Sequence, residues 1–315
     1  MRPQLKVKKI MFAVILIFAV MILSSCGIRQ KTGKEIDFLD LNVGGQGLVM
    51  KLLKNAPPPE VWEDTNFKVA MEVRNLGVTD VNDATIAVSS CKAVSFSDLA
   101  GTHHAATINN IEIKGVSRFQ PGGGFWIGDL TLHADKRDDE CLIQTELCYT
   151  YETNADPDVC VDPDPYNIKE NKVCKAENID LKEQGAPVVV SRVEPSAIVS
   201  DNKMNVQYKI FVKNVGDGQI TKNTAVLWDI CGSDKFTYDD LEVVKVTAQL
   251  HDVDLKCGAD SNEGEIIMTD KNELNYVVCT GELETPNSEY VTPLNINLKY
   301  GYVVTKYNVI KVKER

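Results

Sequence analysis

Histidine and tryptophan are scarce, with four and three copies in 315 residues. No G-x-S-x-G, H-E-x-x-H, P-loop or strand-linked G-x-G-x-x-G occurs, so the common hydrolase, zinc-protease and nucleotide-binding signatures are missing. No Asn-x-Ser/Thr sequon occurs, which removes N-glycosylation. Basic side chains are outnumbered, 34 against 45 acidic, for a net charge of −11. A negative surface repels phosphate, so a nucleic-acid partner is not expected. No amphipathic pattern extends over ten or more residues, so helices are not expected in the body of the chain. Apolar residues at 43% and charged residues at 25% are ordinary globular values, and the length suits two domains of roughly 100–150 residues.

What is present begins at the N-terminus. Arg2, Lys6, Lys8 and Lys9 precede an unbroken apolar run, Ile10 to Leu23, and then Ser24, Ser25 and Cys26. A basic head, a short apolar stretch and a small-residue site read as a secretory signal or an N-terminal anchor helix. The run is shorter than the roughly 20 residues a membrane span needs. Leu23-Ser24-Ser25-Cys26 resembles a lipobox, the processing site of prokaryotic lipoproteins. That resemblance implies lipidation of Cys26 and a chain tethered to the membrane on its extracytoplasmic face. The expected organisation is a signal or anchor over 1–26 and a polar tether over 27–46. Four basic and no acidic residues precede Cys26, so the part beyond it carries 30 basic and 45 acidic side chains, a net −15.

Eight further cysteines remain: Cys91, Cys141, Cys148, Cys160, Cys174, Cys231, Cys257 and Cys279. An even number in an exported chain is expected to form disulfides. No pair is closer than Cys141 and Cys148, and no histidine stands in ligand spacing with them, which disfavours structural zinc. Cys141 and Cys148 share one strand-like run. Seven extended residues span about 23 Å, whereas bridged Cα atoms lie within about 7 Å. These two do not pair with each other, and their odd separation places them on opposite faces. Cys160 and Cys174 flank a turn-rich loop that a bridge between them would close. The remaining pairings stay open.

From Gly47 the pattern is β. Phe67–Val73 and Val206–Val212 alternate apolar and polar residues, as half-buried strands do. Further strands are expected at 84–88, 108–113, 125–127, 130–132, 141–151, 188–193, 224–230, 243–250, 265–269, 274–279, 290–299 and 302–312. Asn55-Ala-Pro-Pro-Pro59 reads as an extended lead-in. Two blocks follow, 47–153 and 186–315, separated by a Cys-containing linker, 154–185.

The blocks repeat one another. Val73-Arg-Asn-Leu-Gly77 matches Val212-Lys-Asn-Val-Gly216, and Ile143-x3-Leu147-x-Tyr149-x-Tyr151 matches Leu294-x3-Leu298-x-Tyr300-x-Tyr302. Cys91 and Cys231 follow the two glycines at similar distances. The second block is about 12 residues longer, most simply around 251–280, where Cys257 and Cys279 would staple the excess. Each unit suits a β-sandwich. The alternating strand, V-[RK]-N-x-G and, in the first block, the Pro-Gly turn at 121–122 resemble immunoglobulin-like domains of the CARDB type. That resemblance implies an all-β fold of two tandem immunoglobulin-like sandwiches, adhesion or binding outside the cell, and no catalytic residues.

No cofactor and no catalytic residue is expected. The acidic loop residues Asp156, Asp158, Asp162 and Asp164 are weak calcium candidates: oxygen ligands suit Ca²⁺, but the spacing is not that of an EF-hand loop. His103-His104 reads as a loop pair. Trp62, Trp126 and Trp228 read as packing residues before sugar-stacking ones. The leading function is a non-enzymatic surface protein whose partner is an envelope protein or glycan. A disulfide-stapled spacer is the alternative, and an extracellular hydrolase is less favoured. An exposed apolar or aromatic patch would favour binding, and a uniformly acidic surface a spacer.

Overall fold

Alternation of apolar and polar residues dictates the secondary structure. Inward positions of each strand fill a core and outward positions meet water. The computed structural model describes residues 44–96, 104–166, 168–169, 171–200, 202–223, 231–232, 240–258, 264–269 and 275–315. The first block holds β1 (Leu48–Leu52), β2 (Glu60–Trp62), β3 (Thr65–Asn75), β4 (Val81–Ser89), β5 (Val94–Phe96), β6 (Ala105–Ile113), β7 (Phe125–Ala134) and β8 (Asp138–Ala155). The connecting stretch carries β9 (Asp158–Val161) and β10 (Ile179–Asp180). The second block holds β11 (Val188–Ser200), β12 (Lys203–Asn214), β13 (Gln219–Thr221), β14 (Val243–Leu250), β15 (Val253–Cys257), β16 (Gly264–Ile267), β17 (Asn275–Glu284) and β18 (Tyr290–Lys313). The fold is all-β and sandwich-like, with open sheets, and the described residues contain no helix. The expected N-terminal anchor helix and Cys26 lie outside the described residues.

One sheet runs β1-β3-β7-β5, and the other runs β10-β11-β12-β17-β15-β14-β18-β8-β4-β6. Val69, Met71 and Val73 of β3 share a core with Ile86 and Val88 of β4 and Ile143 and Leu147 of β8. The two blocks meet along β8 and β18, which pair antiparallel from Ala155↔Ile296 to Cys141↔Ile310. The described residues therefore belong to one compact unit. The stretch 154–185 is more than a connector, because it supplies the end of β8 together with β9 and β10.

The repeat has a structural meaning at that seam. Tyr151 faces Tyr300 and Tyr149 faces Tyr302 across the ladder, and the four rings form one buried cluster with centroids 5.7–6.3 Å apart. Each hydroxyl accepts a backbone hydrogen bond from its own block. Leu48 donates to Tyr149 (3.1 Å) and Val188 to Tyr300 (3.3 Å). Thr79 donates to Tyr151 (3.1 Å) and Gly218 to Tyr302 (2.9 Å). The motif asparagines act identically. Asn75 accepts from Gly77 N–H and donates to the Thr79 carbonyl, and Asn214 accepts from Gly216 N–H and donates to the Gly218 carbonyl. Two short motifs 72 and 84 residues apart thus build the same local lock twice.

Several expectations change. The strands expected at 290–299 and 302–312 are one continuous β18, because Gly301 pairs with Thr150 and does not break the ladder. The extra length of the second block does not lie around 251–280. β4 is continuous and pairs with β8 through Thr85–Ser89. Its counterpart is divided into β13 and β14, which both pair with β18, and residues 222–242 intervene. Cys231 belongs to that insertion, so its spacing from Gly216 does not make it the counterpart of Cys91. The Asn55–Pro59 stretch turns where extension was expected. Asn55 has φ +59°, Ala56 N–H donates to the Leu53 carbonyl, and the Ala56–Pro57 peptide is cis. The strand expected at 224–230 lies outside the described residues.

Candidate functional site

The eight cysteines form four disulfides. Cys91–Cys141 lies within the first block, Cys148–Cys231 ties the insertion of the second block to β8, Cys160–Cys174 closes the connecting loop, and Cys257–Cys279 joins directly opposed residues of β15 and β17. Cys141 joins the main core, and Cys148 packs in a separate small cluster with Ala87, Cys231 and Val303. The two therefore lie on opposite sides of β8, as their odd separation requires. Four disulfides indicate an oxidising, extracytoplasmic environment.

The Cys160–Cys174 loop is fixed beyond its disulfide. The Lys172 ammonium is shielded from solvent and donates to Asp162 Oδ2 at 2.7 Å and the Asp164 carbonyl at 2.6 Å, with Asp164 Oδ2 at 3.1 Å. Asp162 Oδ1 accepts from Asp164 N–H, and Asp164 Oδ2 accepts from Lys169 N–H. The hydrogen bond from Lys169 N–H lowers the Asp164 carboxyl below its ordinary value, helped by Ile168 N–H and Lys172. Burial alone would lower Lys172, but its hydrogen bonds to Asp162 and Asp164 outweigh that and raise it. Val173 N–H donates to Glu289 Oε1 at 2.7 Å, which lowers Glu289 and clasps the loop to the segment entering β18. Two of the four candidate calcium ligands are thus held around a lysine. Asp156 and Asp158 are exposed, and the four acids form no metal-ligating group among the described residues. Glu146, Cys148 and Cys231 do converge within 4.8 Å, but both sulfurs are held in their disulfide.

This loop roofs a cavity of about 300 Å³. Val161, Asp162, Pro165 and Tyr166 form the roof, and Pro195, Ala197, Met204, Val206 and Tyr208 of β11 and β12 form the floor. Alternation along β12 places Met204, Val206 and Tyr208 on the inward face, so the floor is largely apolar. Tyr208 is 2% exposed as a residue and makes no hydrogen bond to a described residue, its hydroxyl oxygen staying accessible where it lines the cavity. Burial raises its phenol well above the ordinary value, with Tyr290 adding to the shift, so the hydroxyl is neutral at physiological pH. Tyr166, which lines the cavity, is 85% exposed, and Ile168 and Val173 of the same loop are 80% and 81% exposed. Sequence reasoning missed Tyr208 and Lys172. The β12 alternation signals that Tyr208 is buried, but nothing local signals that its hydroxyl is unmatched.

Other candidates are dispersed. Trp62 was expected to pack, but it stands on the outer face of β2, 54% exposed, with the Lys313 ammonium 5.7 Å from its ring centroid. Its strand is only three residues long and turns Val61, not Trp62, inward. Trp126 packs partly against the core. His104 Nδ1 lies 2.8 Å from the Val94 carbonyl. His103 and Trp228 lie outside the described residues. Phe125 and Ile127 are exposed on β7, with the Arg74 guanidinium 5.6 Å from the Phe125 centroid. The surface therefore carries apolar and aromatic side chains and is not uniformly acidic. No described helix is long and apolar enough to cross a membrane.

Comparison with known proteins gives no assignment. No family model matches the chain, and no curated protein matches it. Similarity to solved structures is slight. Red sea bream transglutaminase aligns at 9% identity and TM-score 0.22 over 86% of this chain, which spans about a third of that protein (32%). The sporulation control protein Spo0M of Bacillus subtilis aligns at 12% identity and TM-score 0.19, covering 53% of this chain and 80% of that one. A DUF4466 family protein of Parabacteroides merdae aligns at 8% identity and TM-score 0.19, covering 81% and 99%.

Proposed function

We propose that the chain is a non-enzymatic, membrane-tethered surface protein whose two immunoglobulin-like blocks bind an envelope protein or glycan outside the cytoplasm. The observation that carries this reading is the cavity beneath the Cys160–Cys174 loop. A disulfide, a shielded ion-pair cluster and the Glu289 clasp hold its roof in place, yet the floor leaves a neutral hydroxyl unmatched. The Tyr208 hydroxyl makes no hydrogen bond to a described residue and is accessible at the cavity, so it is open to a ligand, and a rigid cavity with such a group suits recognition. The exposed Tyr166, Ile168 and Val173 of this loop support the same reading. The lipobox-like Leu23-Ser24-Ser25-Cys26 supports tethering, and the four disulfides agree with export. An envelope pull-down with the crosslinked full chain tests it. The expected result is a specific partner, lost when residues 160–174 are masked by an antibody. Recovery of the chain alone overturns the binding reading, and release from the membrane fraction of Cys26→Ala but not wild type supports the lipid anchor.

The alternative, a stapled envelope spacer, is favoured by one observation. The long β8–β18 ladder and Cys148–Cys231 join the blocks rigidly, as a spacer requires.

A further inference from the structure

The cavity under the Cys160–Cys174 loop adjoins a strand edge that is free among the described residues. β10 pairs with β11 only at Arg192 and Val193. From Glu194 to Ser200 β11 pairs with β12 on one side alone, and Pro195, Ser196 and Ala197 of that stretch line the cavity. Edge strands are templates for an added strand, which supplies backbone hydrogen bonds while side-chain pockets supply specificity. Proline on an edge turns its missing N–H outward, so the residue pattern leaves Ala197 and Val199 as the outward backbone donors.

Size, polarity and charge narrow the occupant. A volume of about 300 Å³ is at the small end of ligand pockets, suited to one large side chain. Most lining side chains are apolar while polar atoms form much of the exposed wall, and the Asp162 carboxylate already holds Lys172 and Asp164 N–H. The Tyr208 hydroxyl, neutral and able to donate and accept, asks for one uncharged hydrogen-bonding group at the end of an apolar body. The chain's net charge of −11 disfavours an acidic partner.

We propose that β11 and this cavity bind an extended, basic peptide segment of a partner protein, with a tyrosine side chain entering beneath the loop to meet Tyr208. The segment lies along Glu194–Ser200, and its aromatic ring packs against Met204, Val206 and Pro165. This deepens the binding reading above and rests on it.

The test uses the full chain in detergent micelles and labelled blocked pentapeptides, Lys-Thr-X-Thr-Lys with X as tyrosine, phenylalanine or glycine, measured by fluorescence anisotropy. The tyrosine peptide is expected to bind best. Phenylalanine loses one hydrogen bond and about fivefold in affinity, and glycine loses the buried ring and at least about tenfold. Tyr208→Phe erases the tyrosine–phenylalanine difference while leaving the phenylalanine peptide unchanged. Ala197→Leu fills the cavity and weakens both aromatic peptides, with an unchanged near-ultraviolet spectrum reporting an intact fold. Equal binding of the glycine peptide, or a tyrosine preference that survives Tyr208→Phe, overturns the proposal. So does saturable binding of maltose at this cavity without peptide binding, which assigns it to glycans. If Ala197→Leu still captures the wild-type partner from the envelope, the surface-binding reading stands and this assignment alone fails.

Discussion

At the scale of single residues, the repeated V-[RK]-N-x-G motif is a steric and hydrogen-bonding requirement. Gly77 and Gly216 each lie under a tyrosine hydroxyl. A Cβ on Gly77 would fall 2.0 Å from Tyr151 Oη and 2.7 Å from the Gln46 and Gly185 carbonyls. One on Gly216 would fall 2.4 Å from Tyr302 Oη. The hydroxyl must stay, because it serves the Thr79 or Gly218 N–H. For Tyr302, burial outweighs that bond and raises the phenol to about 12. Gly77→Ala and Gly216→Ala are therefore expected to destabilise the protein by about 1–3 kcal/mol each, the usual cost of overpacking. The Gly77 variant is expected to be the worse, since backbone oxygens cannot swing aside as a side chain can. Urea denaturation of both variants measures this, and a Gly77→Ala protein as stable as wild type rejects the account. These positions were legible in the sequence because the motif is local and occurs twice. Tyr208 was legible only as a buried strand residue, since the absence of a partner is a property of distant segments.

At the scale of elements, the Cys160–Cys174 loop depends on charge as well as on its disulfide. Asp164 and Glu289 sit below their ordinary 3.8 and 4.5, held first by the N–H groups of Lys169 and Val173. A depressed carboxyl contributes stability above its unfolded value and loses it as pH falls through the folded one. Lys172 is raised above 10.5, so its contribution is complete below that value and is lost as pH rises through the folded one. Loop docking is thus expected to be constant from about pH 5 to 9 and to weaken at both extremes. Carbon-13 side-chain titration is expected to place the Asp164 midpoint below 3.8 and to move it upward in Lys172→Met without fully restoring it, because the backbone donors remain. A wild-type midpoint at the ordinary value removes the cluster as a loop clamp. The sequence disclosed this element only partly. Turn residues between two cysteines indicated a stapled loop, and the acidic run suggested a cation. Lys172 supplies that cation from 8 and 10 residues along the chain, a closure that turn composition does not encode.

At the scale of the whole molecule, the duplicated blocks behave as two halves of one sheet system. Alternation indicated the all-β, sandwich-like fold, but the β8–β18 seam was hidden because backbone pairing carries no residue code. That seam couples the halves through a long ladder, the four-tyrosine cluster and Thr153, which donates to the Val188 carbonyl or meets Tyr300 Oη at 2.9 Å. Breaking one half would expose the buried tyrosines of the other and separate Thr153 from the Val188 carbonyl and Tyr300 Oη, at a cost of the order of 1–3 kcal/mol for each orphaned polar group. Unfolding is therefore expected to be one cooperative event. Calorimetry of the oxidised full chain should give a single transition whose calorimetric and van't Hoff enthalpies agree. Removing Cys148–Cys231 with the double variant Cys148→Ala/Cys231→Ala frees a loop spanning 83 residues, a loss of about 4 kcal/mol by chain entropy. The transition should move to lower temperature and remain single, because the ladder and not the disulfide couples the blocks. Two resolved transitions in the wild type would mean that the halves are independent domains in contact, and two appearing only in the double variant would transfer the coupling to the disulfide.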